Sequence, residues 1–500
     1  MSKLAITLGA AALSLVTMAG TANAFCGFYV SGSEKPMYAD ATQVTLMRDG
    51  TRTVLAMQND YKGPLDDFAL VIPVPVVLKE KDVKTLPRDV FDRIDQQGAP
   101  RLVEYWEQDP CYVATPRRMM PSKAGMVAYD DADEDESAKK NSVKIEAKFD
   151  VAEYKILILS AKDSTGLETW LKDNKYKIPD KAAPLLRPYV EGGSKFFVAK
   201  VDAKKVKMTD GHAELSPLRF TYDTEDFSLP IRLGMANSSG TQDLIVNIIS
   251  ADKRFEVANY KNVFVPTNFD VKDGTRKRFP EFYGALFDKT VAKNPGAVVT
   301  EYAWAATPYG MCDPCPPEPM HAEDLMTLGG DIIGGKIAQS EFTLTRLHAR
   351  YSAADMKDDL RFREAKPVTG GREQWNGKGI EYGATPSATN AFQARYVIRH
   401  YWQGKIACKN PQRGRWGGPW NDEDNSPIAA SKLAYVPRGK LALDHYIGRD
   451  LWEIGVKKYK PTPTPPPTMK QTPPGGKAMS FGAGALAGLA LLGLSRRRRR

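Results

Sequence analysis

Residues 41–61 carry the strongest local folding signal in the chain. The stretch VTLMRDGTRTVLAM places β-branched and apolar residues on both sides of Asp49-Gly50. Such residues fit a pleated, half-buried surface, and Asp-Gly supplies the positive φ that a type I′ turn needs. The pattern therefore predicts a β-hairpin.

The rest of the chain up to residue 458 has the same character. Short apolar or alternating runs predict strands at residues 68–77, 143–151, 154–160, 196–201, 219–222, 229–233, 243–249, 343–351 and 392–402. Helices are predicted singly, at residues 87–97, after a cap at Asp163 or Ser164, and at residues 279–292. Pro73 and Pro75 predict an edge or departing strand, because proline cannot donate to a ladder. We expect an α+β fold: a strand-rich body with largely antiparallel sheets and scattered short helices, plus a C-terminal transmembrane helix.

Composition divides the chain into six segments. A signal peptide is predicted at residues 1–24, a strand-rich N-terminal part at 25–264, a C-terminal α+β part at 279–458, a Pro/Thr-rich linker at 459–477, a transmembrane segment at 478–494 and an arginine cluster at 495–500. The charged, turn-rich residues 265–278 are the predicted internal boundary.

The N-terminus has the three parts of a secretion signal. Lys3 supplies a positive start, residues 4–18 form an apolar run, and Ala22-Asn23-Ala24 is a small-residue cleavage site. The apolar run is shorter than the roughly 20 residues that a membrane span needs. We therefore predict export, with cleavage between Ala24 and Phe25.

The C-terminus combines a spacer, an apolar run and a cationic end. Half of residues 461–474 are proline, which favours an extended spacer. Residues Ala478 to Leu494 carry no charge and would rise roughly 25 Å as a helix, close to the thickness of the hydrocarbon core. Arg496 to Arg500 cannot cross lipid cheaply and are predicted to stay cytoplasmic. We expect a membrane anchor that holds the body on the periplasmic or cell-surface side of a bacterial membrane.

The net charge of +10 does not indicate nucleic-acid binding once it is located. Lys3, Lys470, Lys477 and the five terminal arginines account for +8, which leaves +2 for residues 25–460. A nearly neutral body has no broad basic surface for phosphates. We therefore expect no nucleic-acid partner, and the composition does not indicate which ligand the body binds.

Several long stretches carry a family resemblance: CGFYV, ATQVTLMRDGTRTVLAMQNDY, VIPVPVVL, APRLVEYWEQDPC, EYKILILSAKDSTGLETWL, RPYVEGGSKFFVAKV, LPIRL and CDPCP. They resemble the uncharacterised bacterial family catalogued as domain of unknown function family 2330. The resemblance implies an exported envelope protein and supplies no catalytic residues. The tail resembles the PEP-CTERM and MYXO-CTERM sorting signals of Gram-negative surface proteins, which implies a sorting protease as a partner.

The candidate reactive residues are five cysteines: Cys26, Cys111, Cys312, Cys315 and Cys408. In an exported chain they predict disulfides. We expect a Cys26–Cys111 bridge, which would tie the free end to the first sheet. The second bridge would join Cys408 to Cys312 or Cys315, or close the C-x-x-C on itself. A redox C-x-x-C normally opens a helix, whereas prolines follow this one at once.

A metal site is the remaining alternative for these cysteines. Cys312, Cys315 and His321 have zinc-like spacing, which Cys408 or His400 could complete. We nevertheless predict no metal and no cofactor, because a disulfide is the commoner use of cysteines in an exported loop. The acidic run at residues 130–136 lacks the glycine and glutamate of a calcium loop and is interpreted as solvated.

Two functions of different classes fit these observations. The favoured one is a non-catalytic binding or structural module, exported and anchored in the cell envelope, because the sequence contains no G-x-S-x-G, H-E-x-x-H or Walker motif. The alternative is an exported enzyme with a thiol-dependent or unrecognised hydrolytic site. Whether the chain is an enzyme stays open at this point.

Overall fold

A computed structural model of the chain describes residues 27–31, 41–59, 61, 68–111, 143–179, 182–209, 212–238, 240–307, 312–316, 319–352, 354–374, 380–421, 424–431 and 441–460. The predicted cleavage site at Ala24 and Phe25, Cys26, the acidic run at residues 130–136, and the tail from Ala478 to Arg500 lie outside these residues.

Strands dominate the described residues. In chain order they are β1 (Phe28–Ser31), β2 (Ala41–Asp49), β3 (Arg52–Asn59), β4 (Phe68–Val74), β5 (Val83–Thr85), β6 (Arg101–Glu107), β7 (Val143–Val151), β8 (Tyr154–Ala161), β9 (Lys195–Val201), β10 (Lys207–Thr209), β11 (His212–Glu214), β12 (Leu218–Asp223), β13 (Ser228–Leu229), β14 (Gln242–Ser250), β15 (Arg254–Val257), β16 (Asn262–Phe264), β17 (Phe269–Asp270), β18 (Val298–Ala306), β19 (Phe342–Tyr351), β20 (Leu360–Ala365), β21 (Val368–Gly370), β22 (Thr385–Pro386), β23 (Ala391–Gln393), β24 (Arg395–His400), β25 (Trp416–Gly417) and β26 (Ile428–Ala429).

The helices are short and scattered. They are α1 (Asp89–Gly98), α2 (Ser164–Asp173), α3 (Ala182–Glu191), α4 (Phe279–Lys293), α5 (Ala322–Leu325), α6 (Asp331–Ile333) and α7 (Gly335–Ala338). A π-helical turn at Met326–Gly330 joins α5 to α6, and single 3₁₀ turns lie at Glu80–Asp82, Ala203–Lys205, Arg232–Asn237, Asp273–Arg278, Leu443–His445 and Trp452–Ile454.

One large sheet organises the body. Its strand order is β22-β21-β23-β18-β19-β14-β2-β3-β12-β5, with β16 beside β18. The pairs β14–β2, β21–β23 and β16–β18 are parallel, and the other pairs in this sheet are antiparallel. Every residue of β14 is buried, as expected for a strand with neighbours on both edges and cover on both faces.

The two faces of this large sheet have different character. One face joins an apolar core that includes Leu46, Val246 and Leu347, and this core extends to the five-stranded antiparallel sheet β1-β4-β9-β8-β7. Helices α2 and α3 supply Leu167 and Leu186 to the apolar cluster on the far side of that second sheet. The opposite face of the large sheet lies against α1 and α4 and carries charged side chains.

A third sheet joins distant parts of the chain. Strand β24 lies parallel to β6 and to β17, while β25 and β26 pair antiparallel with β6. In this third sheet, β6 precedes residues 265–278 in the chain and β24 follows them. In the large sheet, β14 precedes the same residues and its partner β19 follows them. Both sheets therefore join strands from the two sides of this segment. The described residues up to Tyr459 form one compact unit, and the predicted internal boundary lies within it.

The predicted strand-rich, largely antiparallel α+β body is confirmed, with local corrections. The hairpin is present, but its loop residues are Gly50 and Thr51, and only Gly50 has a positive φ, +53°. Glycine at the first loop position with positive φ fits a type II′ turn better than the predicted type I′. Strand β4 has a neighbour on each side at residues 69–71, but at Pro73 only β9 remains, so proline lies where one edge is open.

Other corrections concern boundaries. The strand predicted at 229–233 is only Ser228–Leu229, followed by the 3₁₀ turn. Helix α3, whose interior contains Pro188, was not predicted from the sequence. The cap of α2 is Asp163, whose carboxylate accepts a 2.6 Å hydrogen bond from the Gly166 amide. Within the described part of the chain, no helix combines the length and apolar character that crossing a membrane requires.

Candidate functional site

Strand β19 places three cationic side chains on the covered face of the large sheet. Arg346 lies opposite Asn247 on β14, and Arg350 lies opposite Asp243. His348 stands between the two arginines on the same face, because side chains two residues apart in a strand point the same way. Charged side chains at every second position of a buried strand each require a partner, because a buried charge without one is costly.

A β-bulge on the neighbouring strand supplies the central partner. The register between β18 and β19 shifts between Thr300 and Tyr302, and Glu301 is the extra residue. Its Oε1 accepts hydrogen bonds from Tyr283 and from Nδ1 of His348, both at 2.7 Å. Its Oε2 accepts from Nε of Arg346, also at 2.7 Å.

Two aspartates complete the arrangement, which we call the Glu301 network (Asp95, Asp243, Tyr283, Glu301, Arg346 and His348). Nη1 of Arg346 donates to the Asp95 carboxylate at 2.6 Å. Nε2 of His348 lies 3.2 Å from Asp243, and the Phe287 ring stacks on the imidazole with centroids 3.7 Å apart. Each member of the network is 3% exposed or less.

These contacts shift the pKa values in opposite directions. Burial alone would raise the pKa of Glu301, but His348 and Arg346 outweigh it and lower that pKa to about 2. Burial would lower the pKa of His348, but Glu301 and Asp243 outweigh it and raise that pKa. The network therefore favours an imidazolium between two carboxylates, held away from water.

Such an arrangement is suited to holding strands together rather than to proton transfer. The carboxylate of Glu301 is saturated by Tyr283, Arg346 and His348, and no substrate could approach it without breaking these contacts. A general base must be within hydrogen-bond reach of a substrate proton. The geometry indicates a structural role for the Glu301 network.

A second buried arginine, Arg101, has different surroundings. It opens β6 and lies opposite Arg395 of β24. Arg395 has a carboxylate partner, Glu373. Arg101 is only 1% exposed, and it donates to main-chain carbonyls: Pro314 at 2.6 Å, Gln96 at 3.1 Å, and Gln97. Burial lowers the pKa of Arg101 to about 10, and the neighbouring Tyr302 hydroxyl offsets only part of that shift.

The Pro314 carbonyl belongs to the C-x-x-C loop. Cys312 and Cys315 are bonded to each other, so the C-x-x-C is closed on itself, one of the predicted pairings. Cys315 is exposed and Cys312 is half-buried. Between them, Asp313 accepts a 2.8 Å hydrogen bond from the Glu373 amide. We call Arg101 together with residues 312–315 the C-x-x-C corner.

The other disulfide overturns the predicted Cys26–Cys111 bridge. Cys111 is bonded to Cys408, with Cα atoms 5.5 Å apart and a sequence separation of 297 residues. The reason is sheet topology: parallel pairing of β24 with β6 brings the two strand ends together, so the loops that follow them meet. The alternative pairing of Cys408 with Cys312 or Cys315 is wrong for the same reason.

The predicted histidine ligands do not gather with the cysteines. His321 precedes α5, where its amide donates to Asp324 at 2.8 Å. His400 lies 2.7 Å from Glu104 and stacks on Trp106. The sulfurs of Cys312 and Cys315 are bonded to each other rather than free to ligate. Among the described residues, no group of three or more His, Cys, Asp or Glu side chains could hold a metal ion.

Sequence reasoning missed the Glu301 network and Arg101. His348 was placed only within the strand predicted at residues 343–351. The available signal was the order Arg346, His348, Arg350 within an otherwise apolar strand, which indicates a charged inner face. Nothing in the local sequence indicated that Arg101 would be buried without a carboxylate.

Fold and site together define a class: a disulfide-bonded, strand-rich α+β body with a closed charge network inside it. The chain belongs to the DUF2330 family, described as an uncharacterized protein conserved in bacteria, whose family model matches residues 20–363. The predicted family is thereby confirmed, and β24 and Cys408 lie beyond the matched residues. No curated protein and no solved structure matches the chain.

Proposed function

We propose that the chain is an exported protein of the bacterial cell envelope, held at the membrane by residues 478–494, whose body acts as a non-catalytic binding or structural module. Export is proposed from the leader that ends at Ala24, and anchoring from the uncharged run that precedes Arg496.

The observation that carries the proposal is the Cys111–Cys408 disulfide. It joins two loops 297 residues apart in sequence, at the end of the sheet formed by β6 and β24. Disulfides persist in oxidising compartments and are rare in the bacterial cytosol, where thiols are kept reduced. A body closed by such a bond fits a protein that folds after export.

The interior supports a structural or binding role over catalysis. The buried carboxylates Asp95, Asp243 and Glu301 all face cationic partners within the sheet. Fully paired charges of this kind fix the arrangement of neighbouring strands. The proline-rich composition of residues 461–474 suits a spacer between such a body and the membrane.

Fractionation of cells that express the full chain tests location. N-terminal sequencing of the mature protein should begin at Phe25, and the protein should pellet with membranes. A variant lacking residues 478–500 should instead be recovered as a soluble exported protein, because an apolar span far outweighs peripheral contacts. Mature protein that retains Met1, or a truncated form that still pellets, would contradict the proposal.

Thiol trapping tests the compartment independently. Cells are treated with an alkylating reagent before lysis, and the pairing of Cys111 with Cys408 is read by non-reducing mass spectrometry. The bond should form in the full chain. A matched variant lacking residues 2–24 should accumulate with both thiols alkylated. Equal oxidation of the two forms would show that the bond does not depend on export.

A further inference from the structure

Arg101 is a buried cation whose charge lacks a direct counter-ion. Among the described residues, no Asp or Glu oxygen lies within 4.0 Å of its guanidinium. Arg219 shows the usual alternative: it is 3% exposed and makes two 2.8 Å hydrogen bonds to the Asp331 carboxylate. Arg101 is therefore suited to interact with a negative charge that appears only in another state of the protein.

Two groups that can become negative, the sulfurs of Cys312 and Cys315, belong to the loop that Arg101 binds. Nη1 of Arg101 donates to the Pro314 carbonyl, which belongs to the peptide bond that joins Pro314 to Cys315. Cys315 is exposed, so an external thiol can reach the disulfide. A neighbouring arginine stabilises a thiolate relative to a thiol, and so favours the reduced pair.

We propose that the Cys312–Cys315 disulfide is a thiol–disulfide exchange site that oxidises external dithiols, with Arg101 as the positioning residue that stabilises the thiolates it releases. The substrate class is a small dithiol or an unfolded polypeptide with two free cysteines. This activity is additional to the envelope role and does not depend on the membrane anchor.

The exchange balances without another reactant. A thiolate of the dithiol attacks the sulfur of Cys315, which forms a mixed disulfide and breaks the Cys312–Cys315 bond. The electron pair of that bond leaves on Cys312 as a thiolate. The second thiolate of the dithiol then attacks the first sulfur of the same dithiol, which is bonded to Cys315 in the mixed disulfide. This attack closes the product disulfide and releases Cys315 as a thiolate. Two electrons pass to the cysteine pair, and two protons pass from the dithiol to solvent or to the released cysteines.

The Cys111–Cys408 bond provides an internal control. Both of its cysteines are half-buried, and the Cys408 amide lies 3.2 Å from the Cys111 sulfur. The proposal therefore expects one reactive and one resistant disulfide in a single chain.

The first test equilibrates the purified full-length protein with mixtures of reduced and oxidised glutathione, followed by acid quench, alkylation and peptide mass spectrometry. Cys312 and Cys315 should become reversibly reduced while Cys111 and Cys408 stay bonded. Mixing with dithiothreitol should yield one oxidised dithiothreitol per chain, and none with a C312S/C315S variant. Equal resistance of the two bonds, or reduction only on global unfolding, would overturn the proposal.

The second test isolates Arg101. In R101M the equilibrium constant for reduction of Cys312–Cys315 should fall about tenfold, which corresponds to the loss of about one unit of thiolate pKa depression. R101K should recover part of it, because the charge is kept. R219M, at an equally buried arginine, should leave it unchanged, and an intact Cys111–Cys408 bond confirms folding of each variant. If R101M changed neither the equilibrium constant for reduction of Cys312–Cys315 nor the pH dependence of thiol alkylation, Arg101 would have no role in the exchange.

Discussion

Arg346 and Arg101 are both almost completely buried, yet they differ in what they contact. Arg346 donates to two carboxylates, those of Asp95 and Glu301, inside a network closed to water. Arg101 donates to carbonyl oxygens beside the exposed Cys315. In the Glu301 network each charge has a partner of opposite sign. In the C-x-x-C corner, by contrast, a positive charge lies next to a group that can become negative.

The difference separates two uses of a buried charge. A buried ion pair with complete hydrogen bonds holds neighbouring strands in register. Removing one member of the pair leaves an uncompensated ion in a low-dielectric interior. Arg101 donates to carbonyls and lies beside the Tyr302 hydroxyl, all neutral groups, so its substitution leaves no opposite charge behind and should cost less. Stability measurements should therefore distinguish the Glu301 network from the C-x-x-C corner.

The largest effect is expected for E301Q. The neutral amide leaves Arg346 and His348 facing one carboxylate fewer, and the free energy of unfolding should fall by about 3–5 kcal/mol. Urea denaturation of the full-length protein measures it. A loss below about 1 kcal/mol would show that the network does not hold the sheet together.

Acidification should weaken the same network. The pKa of Glu301 is lowered to about 2, so its contribution is present above its unfolded pKa of about 4.3 and is lost as the pH falls toward 2. The loss should be about 3 kcal/mol. The pKa of His348 is raised, so its contribution is present below its unfolded pKa of about 6.5 and is lost as the pH rises through the higher folded value.

Unfolding of the parent chain and E301Q at a series of pH values checks this expectation. The acid limb between about pH 4.3 and 2 should be shallower in E301Q, because the titrating carboxyl is gone. If the parent chain and E301Q had identical acid limbs, the loss of stability in this pH range would be due to carboxylates other than Glu301.

The C-x-x-C corner should contribute less to stability. A C312S/C315S variant lacks a disulfide that closes a loop of only a few residues. Because the chain-entropy contribution of so short a loop is small, the free energy of unfolding should fall by about 2 kcal/mol or less. Thermal unfolding in parallel with E301Q measures the difference. A larger loss than that of E301Q would mean that the corner, rather than the network, determines the stability of the body.

The smallest effect is expected at an exposed ion pair. Arg52 donates to Asp223 at 2.8 Å between β3 and β12, where the two side chains are 47% and 54% exposed. D223N should change the free energy of unfolding by about 1 kcal/mol or less, and the effect should shrink in salt. A loss as large as that of E301Q would contradict the assignment of the effect to burial.

Local pattern predicted much of the fold. The β2–β3 hairpin, β14, β19 and α4 follow from apolar runs, turn residues and helix stops within the segments themselves. Helix α3 was missed because its internal proline argues against a helix, and packing on the second sheet outweighs that local preference.

The site depended on contacts that sequence proximity does not reveal. Arg346 and Asp95 are 251 residues apart, and Glu301 faces Arg346 only because a bulge adds a residue to β18. The Cys111–Cys408 pairing likewise follows from the parallel alignment of β6 and β24. Strand order and register had to be known before these partners could be assigned.

The most direct test of this account compares R346M with R101M in the same denaturation experiment. R346M removes the partner of two buried carboxylates and should cost about 3–5 kcal/mol. R101M leaves only neutral groups behind, the carbonyls and the Tyr302 hydroxyl, and should cost about 1–2 kcal/mol. Equal losses in the two variants would contradict the distinction between a closed structural network and a buried charge held beside a reactive disulfide.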